Sequence, residues 1–206
     1  LGVYLVTDAS LSAGRSTPEI VEAAIAGGVD IVQLREKGMA ASKRHELGLE
    51  LRELTRAADV PLIVNDRIDL AAAIEADGVH LGDEDLPVPV AREQLGETAI
   101  IGRSVSTPDA ARAAERAGAD YLGVGAIHGT TSKETAPEHS NVGLERVRAI
   151  RATTGLPFVG IGGITPDNAA GVVAAGADGV AVISAITRAE DPEATTRRLV
   201  AAVDGA

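Results

Sequence analysis

No cysteine occurs in this chain of 206 residues, which excludes disulfides, thiolate metal sites and a cysteine nucleophile. Lysine is nearly as scarce. Of the 19 basic residues only Lys37, Lys43 and Lys133 are lysines and the other 16 are arginines, so a lysine near a strand end carries more information than usual. Positive charge is short overall. A net charge of −11 argues against a nucleic-acid partner, which wants a basic face. It also means that an anionic ligand must be captured by a local cationic cluster working against the global field. Arginine bias alongside abundant Asp, Glu and Ala fits either a GC-rich genome or a salt-adapted host. No apolar run approaches the roughly 18 residues of a membrane span, and no basic-then-apolar leader is present. A cytoplasmic protein without a membrane partner is therefore expected. The chain starts at Leu1, directly beside a strand-like run, as a chain lacking a short native N-terminal segment would. No Pro/Ser-rich linker or composition break divides it, so residues 1–206 read as one domain. Three familiar motifs are also missing. His45, His80, His128 and His139 show no H-E-x-x-H spacing. There is no G-x-S-x-G, and Ser104 and Ser184 have no evident His/Asp partners for a hydrolase triad. YLVTDASLSAG (4–14) lacks the G-x-G-x-x-G that a doubly wound nucleotide-binding sheet would carry after its first strand.

What is present is a repeated unit. Strand-like apolar runs recur at Val3–Val6, Ile31–Leu34, Leu62–Val64, Gly78–Leu81, Ile100–Gly102, Tyr121–Val124, Phe158–Ile161 and Gly179–Ile183. Most are short and continuous, as strands covered on both faces should be. Helix-like segments lie between them. Thr17-Pro18-Glu19, Thr107-Pro108-Asp109 and Thr165-Pro166-Asp167 read as helix starts; Gly27-Gly28, Gly118 and Gly176 read as helix stops. A helix end runs into a strand through similar phrases: AGGVDIV (26–32), AGADYLGV (117–124), AGADGVAV (175–182) and the shorter EADGVHL (75–81). Such recurrence is what β/α units repeated around a ring produce. The expected fold is an α/β (β/α)₈ TIM barrel closed by a last helix over Pro192–Val203, compact for a fold that typically takes about 250 residues.

In a barrel the chemistry lies at the carboxyl ends of the strands. Strand 2, read as VQLREKG (32–38), puts Gln33, Arg35 and Lys37 at alternate positions and hence on one face. Strand 3 ends in Asn65-Asp66 and strand 4 runs into Asp83-Glu84-Asp85. Neighbouring parallel strands bring Asp66 and Asp85 to the same end of the sheet. Two carboxylates there are a seat for Mg²⁺, which takes one or two carboxylates and completes its shell with phosphate and water; they could equally cap the helices that follow. Strand 5 ends at Ser104, and the longest loop (125–143) holds hydroxyls and Lys133. Gly162-Gly163 after strand 7 and Ile183-Ser184 after strand 8 precede helix starts, the usual phosphate seat of this fold. The set suits two phosphate-bearing ligands, one bridged by Mg²⁺ and cationic side chains, the other held by backbone amides and hydroxyls.

Read in order, YLVTD (4–8), VQLREK (32–37), VNDRIDLA (64–71), DGVHLGDEDLP (77–87), IIGRS (100–104), ADYLGVGAI (119–127), TTSK (130–133), VGIGGI (159–164) and GVAVISAI (179–186) resemble the thiamine-phosphate synthase family over nearly the whole chain. The resemblance implies a (β/α)₈ transferase that joins hydroxymethylpyrimidine diphosphate to hydroxyethylthiazole phosphate, releasing thiamine phosphate and pyrophosphate. It implies Mg²⁺ on Asp66 and Asp85. Gln33, Leu34, Arg35, Glu36, Lys37, Asn65, Ser104 and Lys133 would contact the pyrimidine diphosphate, with Arg35, Lys37 and Lys133 neutralising the leaving group. Thr130, Thr131, Ser132, Gly163, Ile183 and Ser184 would contact the thiazole phosphate. Partners would be small molecules, with room for a homo-oligomer. Asp83, Ser106, Ala126 and His128 depart from the family pattern, which often has Gln, His, Pro and an aromatic at or near these places. Two rivals share the fold: a thiazole tautomerase-like relative, which could recruit His128, and a non-catalytic phosphate-binding barrel.

Overall fold

Eight short parallel strands close into a ring: β1 (Gly2–Val6), β2 (Ile31–Leu34), β3 (Leu62–Asn65), β4 (Gly78–Leu81), β5 (Ile100–Val105), β6 (Tyr121–Gly125), β7 (Phe158–Ile161) and β8 (Gly179–Val182), with β8 paired back onto β1. The structure, a computed structural model, describes residues 1–129 and 143–206. Helices α1 (Thr17–Ala26), α2 (Ala41–Ala57), α3 (Ile68–Ala73), α4 (Val88–Leu95), α5 (Pro108–Arg116), α6 (Gly143–Arg151), α7 (Ala169–Ala174), α8 (Ser184–Thr187) and α9 (Pro192–Asp204) cover the outside. The expected TIM barrel is the fold observed.

Alternation along each strand makes two cores. Val3, Leu5, Val32, Leu34, Leu62, Val64, Val79, Leu81, Leu122 and Val180 face the helices and are buried. Tyr4, Val6, Ile63, Tyr121, Val159, Ala181 and Ile183 form a second cluster, on the opposite strand faces, that fills the barrel. Helix starts follow local chemistry. Ser16 and Glu19 form a reciprocal capping box ahead of α1, and Thr107 accepts from the Ala110 N–H at the head of α5. Thr165-Pro166-Asp167 does not open a helix directly. Asn168 Oδ1 accepts the Thr165 N–H at 2.8 Å, and α7 begins only at Ala169.

The repeated αβ phrase has a second function at the amino end of the barrel. Its aspartate accepts a hydrogen bond from the backbone at the start of the preceding odd-numbered strand. Asp30 takes the Val3 N–H at 2.7 Å, Asp77 that of Leu62 at 2.8 Å, Asp120 that of Ile101 at 2.7 Å and Asp178 that of Phe158 at 2.9 Å. An arginine from the helix before that strand grips three of the four: Arg52 on Asp77 at 2.6 Å, Arg92 on Asp120 at 2.7 Å and Arg151 on Asp178 at 3.1 Å. Among the described residues Asp30 has no such ion pair.

Candidate active site

At the carboxyl end of the barrel a cavity of about 460 Å³ opens between the tips of β3, β4, β5, β7 and β8. Its acidic wall is built by backbone geometry. Asp66 stands at φ +64°, a left-handed conformation that Asp tolerates better than most residues, and its N–H donates to the His80 carbonyl at 2.9 Å. That bend carries Asp66 off the axis of α3, whose N-cap is Arg67 with no side-chain cap bond. Asp85 Oδ2 accepts the Gly82 N–H at 2.6 Å, inside its own loop. Neither carboxylate caps a helix. Both line the cavity, with Lys37 Nζ 3.7 Å from Asp66 Oδ2. Arg103, from β5, donates to the Gly82 carbonyl and reaches Asp83 Oδ1 at 3.2 Å. Asp83, exposed at 73%, is thus engaged by arginine beside the Asp85 loop.

Strand 2 departs from the expected alternation. β2 stops at Leu34, because the next groups bond to side chains instead of the ladder. The Arg35 N–H donates to Thr7 Oγ1 at 3.0 Å, and Arg35 Nη1 donates to Asp8 Oδ2 at 2.8 Å. Glu36 is buried, taking the Ala9 N–H at 2.8 Å and the Thr17 hydroxyl at 3.1 Å. Gln33 points into the barrel, where its amide donates to Tyr4 Oη at 2.8 Å. Gln33, Leu34, Arg35 and Glu36 lie off the cavity wall, while Lys37 reaches it from a turn. Arg44 Nη2 holds that turn through the Met39 carbonyl at 2.8 Å.

Asn65 and Ser104 line the cavity, as do Gly163, Ile183 and Ser184 on the far side. Gly163 is at φ +63°, and a Cβ there would fall 2.8 Å from the Gly129 carbonyl oxygen, so the turn demands glycine. α8 begins immediately after Ile183. His128 does not line the cavity; its Nε2 is buried without a hydrogen-bond partner among the described residues. Thr130, Thr131, Ser132 and Lys133 lie outside the described residues, as does His139.

The sequence profile described as thiamine monophosphate synthase matches residues 3–186. The chain belongs to the thiamine monophosphate synthase family. The thiamine-phosphate synthase of Natronomonas pharaonis is 75% identical over 204 residues, covering 99% of this chain and 95% of that one. That of Haloquadratum walsbyi is 61% identical over 203 residues, covering 98% and 91%. Among solved structures, thiamine phosphate pyrophosphorylase from Pyrococcus furiosus matches with a TM-score of 0.91 at 41% identity, covering 100% of this chain and 96% of that chain. This member of the family is accordingly a transferase of thiamine biosynthesis. Among the described residues no helix is long and apolar enough to cross a membrane.

Three residues that the family motifs contain but to which sequence reading assigned no role, Tyr4, His80 and Tyr121, join Ser104 in the structure. Tyr4 and Tyr121 lie beneath the cavity and form a hydrogen-bonded series with His80 and Ser104, which line it. Tyr4 Oη lies 2.8 Å from Tyr121 Oη, His80 Nδ1 2.9 Å from Tyr121 Oη, and His80 Nε2 2.9 Å from Ser104 Oγ. Burial pushes both phenols well above their ordinary pKa, so each keeps its proton. An available clue was that the chain's only two tyrosines fall on inward-facing strand positions.

Proposed function

We propose that the chain condenses hydroxymethylpyrimidine diphosphate with hydroxyethylthiazole phosphate, giving thiamine phosphate and pyrophosphate, with the reaction centred on the 460 Å³ cavity. The observation that carries this is the pairing of Asp66 and Asp85 from neighbouring strand ends, with Lys37 beside them. These residues fit Mg²⁺. Asp85 uses Oδ2 on the Gly82 N–H and keeps Oδ1 for a ligand, and both groups are hard oxygen donors. Among the described residues no three His, Cys, Asp or Glu side chains gather closely enough to hold a metal alone, so phosphate oxygens and water would complete the shell. Bound there, Mg²⁺ supplies charge neutralisation for a leaving diphosphate.

Lys37 then offsets charge on the same diphosphate, and Asn65 and Ser104 orient the pyrimidine end. In this reading Arg35, locked on Asp8, shapes the rim and adds positive potential from behind the wall. Lys133 joins the leaving-group side and Thr130, Thr131 and Ser132 the thiazole side by family resemblance alone. Gly163, Ile183 and Ser184 offer backbone amides and a hydroxyl to the thiazole phosphate across the cavity. An aminopyrimidine delocalises positive charge left on its methylene, so bond breaking runs ahead of attack by the thiazole nitrogen and needs no side-chain nucleophile. The test is incubation with both phosphorylated substrates, with and without Mg²⁺, followed by chromatographic detection of thiamine phosphate and pyrophosphate. Product only with both substrates and the metal is the expected result; binding without turnover would leave a phosphate-binding barrel instead.

A further inference from the structure

We infer that Gln33, Tyr4, Tyr121 and His80 form a hydrogen-bond chain of one direction, which fixes His80 as the neutral Nε2–H tautomer and turns the Ser104 hydroxyl into a donor aimed at the cavity. The inventory of donors forces the direction. The Gln33 amide nitrogen can only donate, and it does so to Tyr4 Oη at 2.8 Å. Tyr4 must then place its single proton elsewhere, and Tyr121 Oη at 2.8 Å is the acceptor in reach. Tyr121, having accepted from Tyr4, gives its own proton to His80 Nδ1 at 2.9 Å. A histidine whose Nδ1 accepts carries its proton on Nε2, and Nε2 stands 2.9 Å from Ser104 Oγ. Ser104 therefore accepts from His80, leaving its hydroxyl hydrogen for the cavity that Ser104 lines.

The space for this chain is built in. A Cβ at Gly102 would sit 2.2 Å from the Tyr121 ring, and one at Gly123 would sit 3.0 Å from His80 Cε1. Both glycines face into the barrel between these rings, so larger residues would displace the chain. Tyr4 and Tyr121 are thus positioning residues, acting through His80 and Ser104, which line the cavity. The donor they create selects a heteroaromatic ring with a bare nitrogen over one carrying N–H at that place. That ring's identity as the aminopyrimidine rests on the function proposed above; the direction of the chain does not.

Nuclear magnetic resonance of ligand-free protein labelled with ¹⁵N-histidine reads the tautomer directly, with His80 identified by the signal lost in His80→Gln. A neutral ring protonated on Nε2 is expected, and Tyr121→Phe should release that bias into a mixture of tautomers. A wild-type ring protonated on Nδ1, or a Tyr121→Phe spectrum identical to wild type, overturns the chain. In the coupled-substrate assay Tyr121→Phe should lower kcat/KM for the pyrimidine diphosphate roughly five- to tenfold, the cost of one net hydrogen bond, with the KM for the thiazole phosphate unchanged. Equal losses on both substrates would mark a merely structural residue and refute the positioning role. Because the resonance measurement contains no substrate, an inactive protein with the expected tautomer would count against the proposed function alone.

Discussion

Asp66 holds its carboxylate over the cavity by adopting a backbone conformation that few side chains accept. Asparagine accepts it as readily as aspartate, so Asp66→Asn removes charge without disturbing the turn. Asp85→Asn can likewise keep its bond to the Gly82 N–H through the amide oxygen. Each variant should lose about 10²–10³ in kcat, the usual cost of a contact that strengthens in the transition state. The urea midpoint should shift little, since the solvent-screened Lys37–Asp66 pair, with Lys37 exposed and Asp66 half-buried, contributes about 0–1 kcal/mol. Full turnover in both variants would remove the metal from the scheme. On the opposite wall, Gly163 is a poor probe of phosphate binding, because any Cβ at its positive φ strains the turn whether or not an anion is present. Ser184→Ala is the cleaner change. It should raise the KM for the thiazole phosphate several-fold, in line with about 0.5–1.5 kcal/mol for one hydrogen bond, and leave the pyrimidine KM alone. An unchanged thiazole KM would move the phosphate elsewhere.

Among the elements, the αβ turns are held by side chains as well as by the backbone. Asp120 meets both the Ile101 N–H and Arg92, and Arg92 also donates to the Ala99 carbonyl at 2.5 Å, so one turn is tied at three points. Asp120→Ala leaves that N–H without its side-chain acceptor and removes the carboxylate from among the acceptors of Arg92. A loss of about 1–3 kcal/mol in equilibrium urea unfolding is expected, with kcat unaltered because the turn lies at the end of the barrel opposite the chemistry. Wild-type stability would show that water replaces the carboxylate at no cost. These turns also explain why the strands were legible. Each strand is a short apolar run covered on both faces, and the even-numbered ones are announced by the same helix-stop phrase, so their positions could be read from local sequence. The end of β2 could not. It depends on Thr7 and Ala9, from the connection after β1, and on Thr17, at the start of α1, which bond Arg35 and Glu36. At the site the same division holds. Asp66 and Asp85 converge by chain direction, which sequence carries, whereas Tyr4 and Tyr121 meet across 117 positions and only the closed ring brings them together.

For the molecule as a whole, a net charge of −11 on 206 residues sets a repulsive background that exposed ion pairs only partly offset. Raising ionic strength from about 0.1 M to 1 M shortens the screening length from roughly 10 Å to 3 Å. The melting temperature in KCl should therefore climb by a few degrees, as each ~1 kcal/mol is worth roughly 2–4 °C at this size. A fall would mean that the surface pairs outweigh the repulsion. The arginine grip on the repeated aspartates bears on how such a ring comes apart. Arg52, Arg92 and Arg151 each tie one two-stranded unit to the next, on Asp77, Asp120 and Asp178. No guanidinium does this for Asp30 among the described residues, and there the circle is held by the β1–β8 ladder and by α9 lying against α1 and β1. The ring has a seam. Native-state amide exchange should reveal it, with the β1 and β8 amides losing protection in a partial opening that leaves β3 to β6 closed. An arginine introduced on α9 within reach of Asp30 should slow that opening selectively, turning a closure maintained by strand pairing into one latched like the other three.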